Sequence, residues 1–214
     1  MLGSEVITMM KQRLNRSTSA STSFETWILD ELKRAQDRLE TDPELPSILL
    51  SERSFIDITI SEERVVLPTD FLRENEEDDM QVFETVAADF TEITKSDMDE
   101  MRVKYPDEET GRPRVYTFMG KYFRLRPVPE KATYRLYMTY FQKDAVLTSG
   151  GAANEWSANY PDLLMSEAGI ILATTLKNQG ALTMFTGLRG TERIRLINNE
   201  TAKQMANYQP TPED

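Results

Sequence analysis

The strongest constraint on the fold is a change of hydrophobic period along the chain. Apolar side chains recur every three or four residues in 6–14, in 22–42 and again from 161 to 208. Between these regions, short segments of 55–142 alternate apolar and polar residues instead. Because a helix repeats every 3.6 residues and a strand every 2, the pattern predicts helices, then strands, then helices.

About four helices are expected from this spacing. The second has the clearest apolar face and ends before Pro43, and its face consists of Phe24, Ile28, Leu32, Ala35 and Leu39. The third begins at Pro161, a favoured first-turn residue, and Gly180 is expected to end it. The fourth is expected from Ala181 to about Tyr208.

The middle of the chain predicts strands. "FIDITI" from Phe55 and "RVVLP" from Arg64 are expected to pair with each other across a polar turn. Three further segments, "RVYTFM", "YFRLR" and "TYRLYMTYF", follow within 114–141, and Gly120-Lys121 between the first two predicts a tight hairpin turn.

Together these elements predict an α+β fold, a helical bundle of about four helices with an inserted antiparallel β module. The expected helical domain combines 1–52 with 143–208, the β domain covers 53–142, and 209–214 form a flexible C-terminal tail.

Two missing residue types limit the chemistry that the chain can perform. The sequence contains no cysteine and no histidine, which removes thiolate nucleophiles, the commonest general base and the commonest transition-metal ligands. The acidic run at 74–79 lacks the alternating spacing and central glycine of a calcium loop. We therefore expect no enzymatic activity, no catalytic residues, no metal site and no cofactor.

Charge is distributed unevenly along the β region. Residues 70–110 contain fifteen acidic and four basic side chains, whereas 111–143 contain one acidic and eight basic side chains. The two segments could fold onto each other, the basic strands could contact DNA, or the acidic face of one copy could meet the basic face of the next. The sequence leaves all three interpretations open.

Three stretches resemble a known family. They are "VVLPTDFLRE" at 65–74, "FMGKYFRLRPVPEKATYRLYMTYFQKDAVLT" at 118–148, and "NEWSANYPDLLMSEAGIILA" at 154–173. In content and order they are similar to the head-to-tail connector proteins of tailed bacteriophages, also called adaptor or head-completion proteins, and particularly to those of short-tailed phages.

The resemblance implies a structural virion protein without enzymatic activity. It implies a ring of twelve copies below the portal that joins head to tail and extends the DNA channel, with the portal protein and a tail or nozzle protein as partners. The protein is then expected in the neck of the virion, and in the host cytoplasm during assembly, without membrane association.

The resemblance also assigns regions of the chain to partners. The segment 193–214 becomes the portal-docking candidate, with Arg193, Arg195, Asn198, Lys203 and Tyr208. The β module becomes the surface facing the tail or the neighbouring subunit, and its charged candidates are Glu76, Glu77, Asp78, Asp79, Arg112, Arg114, Arg124 and Arg126.

Packaged DNA would pass through such a ring. With a net charge of −11 on each copy, we expect an acidic channel that repels phosphates. The alternative function is a nucleic-acid-binding protein that uses the Tyr/Arg-rich strands of 114–141 as a stacking platform.

Overall fold

The computed structural model describes residues 1–16, 22–49, 54–75, 78–106, 109–148, 151 and 153–207. The chain forms two compact units. The helical unit consists of Met1–Leu49 and Asp144–Asp214, and the β unit is the intervening Leu50–Lys143.

The described residues form six helices. They are α1 (Gly3–Arg13), α2 (Thr22–Thr41), α3 (Met98–Lys104), α4 (Glu155–Asn159), α5 (Pro161–Thr175) and α6 (Gln179–Asn207). All except α3 belong to the helical unit. The predicted helix over 22–42 and the predicted start at Pro161 are confirmed.

Local capping explains how α4 and α5 follow each other so closely. The Asn154 side chain accepts a hydrogen bond from the backbone N–H of Ser157, and the Ser157 hydroxyl accepts one from the backbone N–H of Asn154. This reciprocal pair satisfies two donors that the first turn of a helix leaves free. Tyr160 ends α4, and Pro161 starts α5.

The core of the helical unit is formed by the inward faces of its helices. Val6 and Met10 of α1 meet Ile28 and Leu32 of α2, and all four are fully buried. The same cluster contains Trp156 of α4 and these residues of α5 and α6: Leu163, Leu164, Ala168, Leu172, Phe185 and Leu196. Helices α5 and α6 approach closely because residue 169 is glycine: a Cβ there would lie 2.6 Å from the Phe185 ring.

The described residues of the β unit form twelve short strands. They are β1 (Ser54–Asp57), β2 (Arg64–Val66), β3 (Phe71–Glu74), β4 (Gln81–Glu84), β5 (Asp89–Glu92), β6 (Thr94–Lys95), β7 (Thr110–Gly111), β8 (Val115–Met119), β9 (Tyr122–Arg126), β10 (Val128–Pro129), β11 (Tyr134–Met138) and β12 (Tyr140–Gln142).

Two four-stranded sheets dominate this unit. Sheet 1 has the order β1-β11-β4-β5 and sheet 2 the order β2-β9-β8-β6, with two-stranded pairs β12-β3 and β10-β7 beside them. The inner faces of both sheets contribute to one hydrophobic cluster, through Val82 and Leu136 of sheet 1 and Phe123 and Leu125 of sheet 2. The outer faces of the two sheets therefore point away from a shared core.

The hairpin predicted at Gly120 is confirmed. Strands β8 and β9 pair antiparallel from Val115–Arg126 to Met119–Tyr122. Gly120 between them has a φ of 62°, a left-handed conformation that glycine adopts without steric cost.

The predicted fold class is wrong. The described residues contain six helices instead of about four, and the strands form several sheets instead of one antiparallel module. Two strand pairs, β6-β8 and β10-β7, are parallel. A helix of five residues such as α4 is too short to produce a periodic pattern, and it was missed for that reason.

The predicted pairing of the first two strands is also wrong. Strand β1 pairs with β11 in sheet 1, and β2 pairs with β9 in sheet 2. Alternation reveals which side chains share a face of a strand, but it carries no information about which strand lies alongside.

Candidate interaction surfaces

The predicted portal-docking residues lie on or beyond the second half of α6, and several have partners within the chain. The Arg193 guanidinium binds Asp42 and Glu167 and is largely buried. Arg195 is exposed and pairs with Glu192 at 3.0 Å. Asn198 is exposed. Lys203 is also exposed and reaches Glu200 at 2.8 Å, and Tyr208 lies outside the described residues.

The contacts of Arg193 tie α6 to the end of α2. Burial raises the pKa of Asp42, but the backbone N–H of Glu44 and the Arg193 guanidinium lower it more, so the carboxyl titrates below its ordinary range. Further along α6, the Tyr160 hydroxyl donates to Glu200 at 2.7 Å, and burial together with this carboxylate raises the pKa of Tyr160. These contacts fix α6 against its own unit.

The opposite face of α6 is exposed, and most of its side chains are apolar or small. This α6 stripe repeats at alternating intervals of three and four residues and consists of Thr183, Gly187, Gly190, Ile194, Ile197 and Thr201. Ile194 is 62% exposed and Ile197 40% exposed. A Cβ at Gly187 or Gly190 would meet nothing within 4 Å. Nothing in the described part of the chain therefore requires glycine at these two positions, unlike Gly169.

The predicted basic candidates of the β unit are mostly bound within the chain. Arg124 and Arg126 are buried, and both guanidiniums bind Glu63. Arg112 pairs with Asp89 at 2.8 Å and also donates to the carbonyls of Val82 and Asp89. Arg114 is exposed. Three of the four predicted cations thus neutralise acids of the same chain.

The acidic candidates are only partly described. Asp78 accepts a hydrogen bond from the Thr139 hydroxyl at 2.6 Å, and Asp79 is exposed. Glu76 and Glu77 lie outside the described residues. Other acids of 70–110 meet the basic segment directly, because Lys131 binds Glu84 and Tyr140 donates to Asp70. The two oppositely charged segments therefore fold at least partly onto each other.

This arrangement gives little support to the nucleic-acid alternative. A stacking platform needs rings and cations on one exposed face. Tyr116, Phe123, Tyr134 and Tyr140 of the Tyr/Arg-rich strands are buried, and Arg124 and Arg126 are bound to a carboxylate.

The outer face of sheet 1 carries an exposed aromatic cluster that the sequence did not predict. We call Phe55, Phe83, Phe90 and Tyr137 the aromatic face. Ring centroids lie 4.6 Å apart for Phe55–Tyr137 and for Phe83–Phe90, 5.3 Å for Phe55–Phe83 and 5.1 Å for Phe90–Tyr137. Phe55 and Phe90 are nearly half exposed. Alternation in "SFID" and "DFTE" assigns each ring to one face of its own strand, but the convergence of the rings depends on strand order.

In the described ranges, no group of three or more carboxylates is arranged to hold a metal ion. No described helix has the length and apolar character needed to cross a membrane.

A surface helix with an unpartnered apolar stripe and a sheet with an exposed aromatic face are typical of proteins that function by binding other proteins. A family model described as SU10 adaptor protein matches residues 1–207, so the chain belongs to this family. The resemblance to phage head-to-tail connectors is confirmed. The comparison with curated proteins found no match. The chain is a structural adaptor protein of a bacteriophage, from a family of virion components that assemble with other head and tail proteins.

Proposed function

We propose that the protein forms a ring in the neck of the virion, below the portal. The ring joins head to tail and extends the channel through which DNA passes. The proposed ring contains twelve copies, the number that the family resemblance implies. The portal protein binds one side of the ring and a tail or nozzle protein binds the other.

The observation that carries this proposal is the α6 stripe. Helix α6 has 29 residues and is about 43 Å long at 1.5 Å per residue. Each mid-helix glycine costs about 1 kcal/mol of stability relative to alanine. Gly187 and Gly190 therefore destabilise the isolated chain by about 2 kcal/mol without any packing benefit inside the described unit.

Packing against a helix of a neighbouring copy would offset this loss of stability. Glycine lets two helix backbones approach closely, and the adjacent Ile194 and Ile197 supply apolar side chains to bury. The alternating three- and four-residue spacing of the stripe is the spacing with which helices pack at shallow angles. In the proposed ring, α6 of one copy packs through this stripe against a helix of the next copy.

The portal contact is placed at the C-terminal part of α6. Arg195, Asn198 and Lys203 are exposed there and available to a partner. Arg193 supports the contact indirectly, because its ion pairs with Asp42 and Glu167 hold α6 in place. The channel is proposed to be net acidic, since each copy contributes a charge of −11.

Mixing the full-length chain with the portal protein and measuring the mass of the complex tests this function. The wild type is expected to add a ring of copies to the portal, whereas Gly187→Leu with Gly190→Leu should abolish ring closure because the added side chains block helix approach. Ala158→Leu, an exposed substitution on α4 outside both the stripe and the proposed portal contact, should assemble normally. A double variant that assembles as well as the wild type, or a wild type that does not bind portal at low salt, would count against the proposal.

A further inference from the structure

A second exposed apolar surface lies on the outer face of sheet 2. We call Val66, Met119, Lys121 and Tyr122 the hairpin tip. Val66 is 63% exposed, and Met119 and Tyr122 are more than a third exposed. Val66 pairs with Tyr122, and Tyr122 pairs with Met119, so the three apolar side chains form one surface. Gly120 at the turn has open space around it, and the tip therefore projects from the unit.

The tip is rigid at its base. Arg124, two residues beyond Tyr122, is held by Glu63 and also donates to Met98 of α3 at 3.1 Å. A preorganised tip loses little conformational entropy when it binds.

The aromatic face and the hairpin tip carry opposite charges at their edges. Asp57 and Glu92 lie on the outer face of sheet 1, two residues from Phe55 and Phe90 on the same strands, and Asp79 precedes β4. Among the described residues of this face, the one cation is Arg135, and it is bound to Asp57. In the described part of the chain neither Glu92 nor Asp79 has an ion pair, so the face is net acidic.

The hairpin tip has the opposite net charge. Lys121 is exposed and has no ion pair within the described ranges, and Arg64 beside Val66 is 59% exposed in its side chain. Arg64 reaches Glu63 only at 4.0 Å, and that carboxylate mainly binds Arg124 and Arg126. The tip is therefore net basic.

The apolar parts of the two surfaces also match. A methionine and a tyrosine are favourable partners for aromatic rings, through sulfur–aromatic and edge-to-face contacts. Because sheets 1 and 2 share one core, the two surfaces point away from each other, so one copy cannot bring its own tip onto its own aromatic face.

We infer that the aromatic face of one copy binds the hairpin tip of the next copy. This inference rests on the proposed ring and names a second contact within it, between β units. A contact between two different surfaces is heterologous, and it produces a closed ring when the rotation from copy to copy adds up to a full turn, as in the proposed ring. Two aromatic faces would instead bring carboxylates together, and DNA phosphates would meet the same repulsion.

The absence of cysteine allows a clean cross-linking test, because engineered cysteines are the only thiols. Gln81→Cys lies on the aromatic face and Val66→Cys at the tip, and neither removes a ring or an unpaired charge. The full-length double variant is treated with a short bis-maleimide, alone and with the portal protein, and run on a denaturing gel. We expect a ladder of covalent multimers beyond the dimer.

The controls separate this contact from random collision. Each single variant should give little dimer, but mixing the two should give the mixed dimer. Gln81→Cys combined with Val103→Cys, which is 86% exposed on α3, should give no ladder. Dimers of the Gln81→Cys variant alone would indicate face-to-face contact and overturn the inference, as would the absence of any ladder in both conditions.

Charge reversal tests the same pairing independently. Lys121→Glu should lower the ladder yield about twofold to fivefold, the range expected from an exposed ion pair. Adding Glu92→Lys should restore it. A second reversal that lowers the yield further would contradict the pairing of these edges.

The two proposals can fail separately. Normal binding to the portal without a ladder overturns the contact between β units and leaves the ring function standing. A ladder without portal binding supports the contact and overturns the proposed place in the virion neck.

Discussion

Two partly buried carboxylates, Glu63 of the β unit and Glu40 of the helical unit, are held in different ways. In the β unit, Glu63 binds the guanidiniums of Arg124 and Arg126. In the helical unit, the Oε1 of Glu40 accepts hydrogen bonds only from neutral donors: the Gln36 amide at 2.9 Å, the Trp156 indole at 3.1 Å and the backbone N–H of Asp144 at 3.1 Å. Glu63 therefore compensates positive charge, whereas Glu40 accepts hydrogen bonds from uncharged groups.

The two carboxylates are stabilised by different means. The Glu63 carboxylate lies against two buried guanidiniums and compensates their charge. For Glu40, burial raises the pKa above its ordinary value, and the three neutral donors offset only part of that effect. The charged form of Glu40 therefore carries a desolvation cost that its hydrogen bonds offset only in part.

The largest change in the free energy of unfolding is expected from Glu63→Gln. Removing the carboxylate from two buried guanidiniums is expected to lower the free energy of unfolding by about 3 kcal/mol. Urea denaturation measures it, and Glu62→Gln, an exposed neighbour, should change stability by less than about 0.5 kcal/mol. Equal effects of the two substitutions would show that Glu63 does not stabilise the fold by compensating Arg124 and Arg126.

A smaller change in the free energy of unfolding, of opposite sign, is expected from substitutions in α6. Gly187→Ala with Gly190→Ala should raise the free energy of unfolding of the free chain by about 1–2 kcal/mol, because alanine restricts the unfolded backbone and meets open space in the helix. Gly169→Ala is the matched control and should destabilise the chain by about 1–3 kcal/mol, since its Cβ would overlap the Phe185 ring. The same sign at both sites in thermal or urea unfolding would contradict this assignment.

The smallest effect should be the pH dependence due to Glu40. Because its folded-state pKa is raised, the folded protein binds the proton more tightly than the unfolded chain does. The contribution of Glu40 to stability is therefore fully present below the unfolded value near 4.5 and is lost as the pH rises through the folded value. Glu40→Gln should flatten this part of the stability–pH curve, measured by urea unfolding at successive pH values. A steeper decline in the variant would contradict the sign.

The sequence predicted what depends on neighbours within one segment. Helix α2 was predicted from Phe24, Ile28 and Leu32 because its apolar side chains repeat within twenty residues. The hairpin at Gly120 was predicted because a tight turn requires a specific residue.

The rest depends on residues that are far apart in the chain. The sequence singled out Arg124 and Arg126, but it could not identify Glu63, about sixty residues earlier, as their partner. The aromatic face brings together rings from four strands, and only the strand order makes them neighbours. The two glycines of the α6 stripe were visible, but only the open space around them showed that their unit does not require them.

The return of the chain into the helical unit has a mechanical consequence. Gln36 and Asn154 donate to the carbonyl of Ala145, and Glu40 and the backbone N–H of Trp156 bind Asp144. Tension that travels along the backbone from Lys143 is therefore shared at once by several hydrogen bonds to α2 and α4. Hydrogen bonds that are loaded together resist pulling better than bonds that break one after another, so we expect this junction to withstand force applied at Lys143.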